Sequence, residues 1–216
     1  IVPSSLGYFE NEEPRMVKTP WFEDEIPFNM AAEIGTKKVI TEHATIGVVV
    51  TTDGSISDIP RSDYEEAEER VVAELKEINK PFVIILNCMY PESDSSEYLA
   101  QELYKKYNVP VVPVNCLNLD SEEIKNIINT VLYEFPLKKI IIKMPEWIKG
   151  LESESDIRRS ILSSVRCCAE NILKLSDIDS FISVINEEEL ISHCTAESII
   201  PGSGTAVIRA EIDNKI

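Results

Sequence analysis

An α/β fold, a parallel sheet flanked by helices and followed by the start of an α+β domain, is predicted from three features of the sequence. Short apolar runs rich in β-branched residues recur as TIGVVVTT (45–52), PFVIILN (81–87), VPVVPVN (109–115) and LKKIIIKM (137–144). The stretches between them carry apolar residues at helical spacing. Strand, helix, strand at this separation implies βαβ crossovers, hence parallel strands with helices on both faces. The reading gives two domains, 1–145 and 146–216.

The first 27 residues, with Pro3, Pro14, Pro20 and Pro27, read as an extended irregular segment that Trp21 and Phe22 anchor to the core. The opening IVPSSLGYFENEEP reads as a loop, and its start without methionine is expected of a piece of a longer protein. FNMAAEIGTKKVITEH (28–43) has helical spacing despite Gly35. Ser62 with Glu65 forms a capping box that opens a helix facing the core with Tyr64, Ala67, Val71, Val72, Leu75 and Ile78. Residues 94–107 form the next helix, with Leu99, Leu103 and Tyr107 inward, and Pro110 and Pro113 predict incomplete pairing of the strand after it. Asp120 with Glu123 caps a further helix, with Ile124, Ile127, Ile128, Val131 and Phe135 inward, and 137–144 is the last strand of the parallel sheet. Beyond Pro145 the pattern changes: 151–177 reads as one long helix, 178–193 as a shorter helical stretch, and PGSGTAVIRAEID as a hairpin-like or edge strand after a Gly-rich turn.

The formal net charge of −17 repels phosphate backbones, and without a local basic patch the sequence predicts no nucleic-acid partner. An odd set of five cysteines with no CxxC argues against a disulfide framework or a zinc site and predicts a reduced, cytoplasmic protein. No apolar run approaches the length of a membrane span.

Ligands of a parallel α/β sheet bind at the carboxyl ends of its strands, here TTDGSISDIP (51–60), NCMYP (87–91) and VNCLNL (114–119). Asn87 is thereby a turn residue, a structural contact or a wall of a nucleotide pocket, beside Thr51, Thr52, Asp53 and Asn115. Cys88 and Cys116 read as small hydrophobes, since no histidine is spaced to activate either. His43 and His193 have no ligand partner at a useful spacing, so no metal residue is assigned. Glu65, Glu66, Glu68 and Glu69 read as a solvated helix start favoured by the dipole. The sequence holds no G-x-x-x-x-G-K-[ST], and PGSGTAV lacks its lysine and preceding strand. A flavodoxin-like small-molecule enzyme finds no nucleophile–base pair at the strand ends.

The segments PRMVKTPWFEDEIPF, AAEIGTKKVITEHATIGVVVTTDGSISDIPRSDYEEAEERVVAELKEINKPFVIILN and VLYEFPLKKI resemble the stage IV sporulation protein A family, densely to about residue 150 and more loosely beyond. The resemblance implies a P-loop NTPase-like domain related to translation-factor GTPases, in an ATPase whose hydrolysis drives assembly of a polymer forming the basement layer of the bacterial spore coat. It places the P-loop, the sensor threonines and the Mg²⁺-facing aspartate upstream of Ile1, so ATP and Mg²⁺ are cofactors of the intact protein and no cofactor is assigned to this chain by itself. Where related GTPases end a strand in Asn-Lys-x-Asp, this chain has Asn87, Cys88 and Tyr90, losing the aspartate that reads guanine. Asn115 and Cys116 take the place of a second base-side loop, with backbone N–H groups near the base. The 1–27 segment takes the place of a switch region in which Arg15, Trp21 and Glu23 read nucleotide state. Implied partners are further copies, other coat morphogenetic proteins and a small amphipathic membrane-anchoring peptide; the implied location is the mother-cell cytoplasm at the forespore surface. The alternative is a non-catalytic NTPase-fold scaffold acting through protein contacts.

Overall fold

The computed structural model describes residues 9–212 apart from 11, 12, 153, 171 and 189, so the opening stretch 1–8, read as part of a loop, lies outside the described residues. The chain divides into two units between Val131 and Leu132, which puts the expected 145/146 boundary inside the second unit.

Four two-residue strands open the first unit: β1 (Phe9–Glu10) pairs with β2 (Glu13–Pro14), and β3 (Met16–Val17) with β4 (Ile26–Pro27). Trp21 and Phe22, expected as core anchors, stay 43% and 42% exposed. Trp21 instead lies over helix α1 (Phe28–Lys38), where a Cβ on Gly35 would come within 3.0 Å of its ring. The helix-weakening glycine is there because the indole needs the room. A π-helical turn (Val39–His43) extends α1.

The sheet is parallel, in the order β5 (Gly47–Thr52), β6 (Phe82–Asn87), β7 (Val111–Val114). Pro113 is accommodated because β7 is an edge strand among the described residues. On one face Val49, Ile84 and Leu86 pack with Val72 and Leu75 of α2 (Ser62–Glu77) and with Ala100 and Leu103 of α3 (Asp94–Tyr107). Ile84 and Leu86 are fully buried, each contributing roughly 1.5–3 kcal/mol. On the other face α4 (Ser121–Tyr133) sets Ile127 and Val131 over Val83, Ile85 and Val114. Asp120 and Glu123 form the expected capping box: the Asp120 carboxylate accepts from the Glu123 amide at 2.8 Å and the Asp120 amide donates back to Glu123 at 2.9 Å.

Three expectations fail here. Helices lie on both faces, but cover of the second is incomplete among the described residues: Val48 and Val50, in register with Val83 and Ile85, are 45% and 61% exposed because α4 lies over β6 and β7. Ile124 and Ile128, expected inward, are likewise exposed. Ser62 caps nothing; Arg61 already has helical angles and takes the N-cap position, leaving Ser62 inside the first turn.

A fourth failure, Glu68, explains that last shift. It was expected in solvent, yet its side chain is 2% exposed and meets Arg61 in a two-pronged ion pair of 2.7 and 2.8 Å. The Tyr107 hydroxyl donates to the same carboxylate at 2.8 Å, and Arg61 also donates to the Thr51 hydroxyl at 2.7 Å and the Thr52 carbonyl at 3.4 Å. Burial pushes the Glu68 carboxyl up, but hydrogen bonds from Arg61, Thr51 and Tyr107 outweigh it and hold it below the usual range. Burial and the Glu68 charge push the Tyr107 phenol up to about 12.

The second unit is a mixed sheet in the order β8 (Lys139–Lys143), β10 (Thr205–Ile212), β9 (Ile191–Ile200). The 137–144 run, expected to finish the parallel sheet of the first unit, pairs parallel with β10, and β10 pairs antiparallel with β9. The strand expected as hairpin-like or an edge is one arm of a hairpin but central. The short α5 (Glu146–Gly150), α6 (Asp156–Ala169) and α7 (Ile178–Ile185) supply the apolar cover: Ile178, Phe181 and Ile185 pack on Ala206, Ile208 and Ala210, and Ile148 and Ile161 on Ile212. The long helix expected over 151–177 stops at Ala169 because 173–175 is drawn to the backbone of 135–137. Leu137 donates to Leu173, Leu175 donates to Phe135, and Asp177 takes the Leu173 and Lys174 amides. The helical stretch expected to 193 ends at Ile185, and β9 starts at Ile191.

Gly204 has φ +62°, and a Cβ there would lie 2.7 Å from the Pro136 carbonyl oxygen, whereas Gly202 has nothing within 4 Å. Gly204→Ala is expected to cost about 2 kcal/mol in denaturant melts, and Gly202→Ala under about 0.5. A pH series reads the buried network. Glu68 is held below its unfolded value, so its contribution is present above about 4.5 and is lost as pH falls through the lower folded value. Tyr107 is raised, so its contribution is full below about 10 and is lost as pH rises through about 12. Denaturation midpoints of Glu68→Gln and Tyr107→Phe should therefore flatten the acid and alkaline limbs respectively, and Glu68→Gln should also cost roughly 3 kcal/mol at neutral pH.

Candidate functional site

Parallel strands put their carboxyl ends on one edge, and three loops meet there: 53–60 after β5, 88–93 after β6 and 115–120 after β7. The first turns sharply because Asp53 accepts the Ser55 amide at 2.9 Å and Thr52 accepts the Gly54 amide at 3.1 Å. Gly54 has φ +90°, with the Arg61 amide nitrogen 3.1 Å from where its Cβ would sit. Asn115 makes the matching turn after β7, accepting the Leu117 amide at 3.1 Å.

Side chains stitch the three loops. The Ser55 hydroxyl donates to Asp53 at 2.6 Å and accepts the Met89 amide at 2.9 Å. The Asn115 side-chain amide donates to the Met89 carbonyl at 3.2 Å. Asn87 Oδ1 accepts the Cys116 amide at 3.0 Å, and the Cys88 amide donates to the Val114 carbonyl at 3.0 Å. Asn87, Cys88, Asn115 and Cys116 thus form one hydrogen-bonded cluster. Asn87 Nδ2 has no hydrogen-bond partner among the described residues.

In the loop expected near the base, the Cys116 amide donates to Asn87 and the neighbouring Leu117 amide to Asn115. Cys88 is fully buried, and burial pushes its thiol up, so it is a packing residue. Cys116 is exposed, and all five cysteines are free thiols.

Beside these loops lies an open basin of about 860 Å³ bordered by Met89, Tyr90, Ser93, Asn115, Asn118 and Asn126. Its lining mixes the side-chain amides of Asn115, Asn118 and Asn126 and the hydroxyls of Tyr90 and Ser93 with the carboxylates of Glu92, Glu97 and Glu123. A smaller groove of about 290 Å³ between α1 and α2 has Glu33, Glu66 and Glu74 on its walls, the wrong sign for phosphate.

The switch-like residues lie elsewhere. Arg15 stacks over the Phe28 ring at 5.7 Å and accepts the Phe28 amide through its carbonyl. Trp21 contacts Gly35, and Glu23 is exposed. Sequence reading missed Ser55, Met89, Arg61 and Glu68. The Asp-x-Ser spacing was a usable signal for the first, and a lone arginine ahead of a glutamate-rich helix was none for the pair. Among the described residues no group of three or more His, Cys, Asp or Glu could hold a metal ion, and no helix is long and apolar enough to cross a membrane.

Comparison with known proteins now adds what geometry cannot. The family described as stage IV sporulation protein A, ATPase domain, matches residues 1–136, and stage IV sporulation protein A, middle domain, matches residues 137–216. Proteins named stage IV sporulation protein A from Bacillus subtilis and Bacillus anthracis are each 42% identical over 207 residues, 96% of this chain and 42% of theirs. One from Clostridioides difficile is 41% identical over 215 residues, 100% of this chain and 43% of its own. No solved structure matches. The chain spans about two fifths of the length of these relatives. Across that stretch it belongs to the stage IV sporulation protein A family and carries sequence of both its ATPase domain and its middle domain.

Proposed function

We propose that the polypeptide to which this chain belongs is an ATPase that binds the base of ATP against the strand-end edge of the first unit. The observation that carries this is Asn87, at the end of β6: its Oδ1 accepts the Cys116 amide while its Nδ2 has no hydrogen-bond partner among the described residues. Asn87 would hold a ring nitrogen, with Asn115 and Tyr90 bordering the base. Guanine needs a carboxylate for its N1–H and 2-amino groups. The chain offers Cys88 and Tyr90 where the related GTPases carry lysine and aspartate, so adenine is not penalised. The bound nucleotide supplies the phosphoryl group that is cleaved; the residues here orient its base.

The described residues do not fit the phosphate and Mg²⁺ end, and no step is assigned there. β5 does fit a larger sheet. Its outer edge is unpaired among the described residues, and Val48 and Val50 lie bare on the face that α4 covers farther along. A strand and helix from the rest of the polypeptide would pair with that edge and bury those valines. ATP turnover would then drive self-assembly into the polymer at the base of the spore coat, on the mother-cell side of the forespore. Other coat morphogenetic proteins and a small amphipathic anchoring peptide would be its partners. Arg15 and Trp21, packed on α1, and the exposed Glu23 would follow the nucleotide state.

Calorimetry with ATP and GTP in the presence of Mg²⁺ tests this on the chain and on a version extended to the full length of its relatives. The extended protein should bind, preferring ATP, and Asn87→Ala should weaken binding about tenfold. Trp21 fluorescence in that protein should differ between ATP and ADP. No binding by the extended protein would overturn the reading in favour of a non-catalytic NTPase-fold scaffold.

A further inference from the structure

We propose that Arg61 and Glu68 are positioning residues for the nucleotide edge, acting through the end of β5 and the 53–55 turn on the Met89 amide; this rests on the nucleotide reading above.

A buried ion pair is a poor way to hold a helix against a sheet, since an apolar pair of similar volume stabilises as well or better. Arg61 is nevertheless half-buried against a carboxylate that is 2% exposed, and its Nε has no partner. What the guanidinium gains over an apolar side chain is direction. One nitrogen, Nη1, reaches Glu68, the Thr51 hydroxyl and the Thr52 carbonyl, so it holds the last two residues of β5. Tyr107 fixes the carboxylate from the third side, from the end of α3.

The connection onward is continuous. Thr52 takes the Gly54 amide, and Gly54 lies against the Arg61 backbone so closely that a side chain there would press on it. The turn presents Ser55, which Asp53 orients and which accepts the Met89 amide. Met89 is held on its other side by Asn115. A shift at the end of β5 therefore moves Met89, and with it the spacing between Asn87 and the 115–117 loop. A lysine at 61 keeps the charge but loses the fork that engages Glu68 and Thr51 together.

Residue-resolved amide hydrogen exchange on this chain separates positioning from general stabilisation. With Arg61→Lys, exchange at Gly54 and Met89 should rise about tenfold, while Ile84 and Leu86 in the centre of β6 should change less than about twofold. Ser55→Ala, at an exposed site, should release Met89 and leave Gly54 protected. If Arg61→Lys does not fold, Tyr107→Phe carries the same localised expectation at about threefold. A uniform rise across Gly54, Met89, Ile84 and Leu86, or no rise at Met89, overturns the proposal. In the extended protein Arg61→Lys should raise the Kd for ATP about tenfold. Localised exchange with an unchanged Kd would leave the positioning role standing and sink the nucleotide reading of this edge.

Discussion

The first unit is organised around one carboxylate. Glu68 lies almost wholly out of water, and Arg61, Tyr107 and Thr51 all reach toward it. Desolvating that charge is unfavourable, and removing one partner of such a pair costs roughly 3–5 kcal/mol because the other is left buried and uncompensated. Its partners come from the end of β5, the start of α2 and the end of α3, so satisfying it fixes those three elements together. The helix start shifts by one residue to bring Arg61 within reach, and the β5 loop folds back tightly enough to require glycine at position 54.

From that constraint the arrangement of the strand-end edge follows. Once β5 ends where Arg61 holds it, the turn at 53–55 sets Ser55 against the Met89 backbone, and Asn87 and Asn115 complete the stitching to β7. Internal hydrogen bonds join the three loops of this edge, and the Asn87 side-chain NH2 group takes part in none of them. Only a donor that the fold does not consume is available to a ligand. By that criterion the Asn87 side-chain NH2 group outranks the Cys116 and Leu117 amides.

Much of this was legible in the sequence. The strands β5, β6 and β7 were read within two residues at either end, because β-branched runs between helical spacings have few other solutions. The strand-end asparagines followed from parallel topology. What failed did so for tertiary reasons. Two capping-box signatures looked alike, and Asp120 with Glu123 formed the box while Ser62 with Glu65 did not, since a buried partner seven residues on drew Arg61 into the helix start. Glu68 sat among four glutamates that spacing could not tell apart. The 137–144 run had the composition of any buried strand, and composition says nothing about which sheet it joins. Val48 and Val50 read as buried because they belong to an apolar run, and a run does not show how far along the sheet a helix reaches.

The most direct test is to follow backbone and side-chain amide resonances of the extended protein as ATP is added with Mg²⁺. The account predicts that, in the stretch shared with this chain, the largest changes fall on the Asn87 side-chain amide and on residues 88–90 and 115–118. Changes confined to the second unit, or to the acidic groove between α1 and α2, would contradict it.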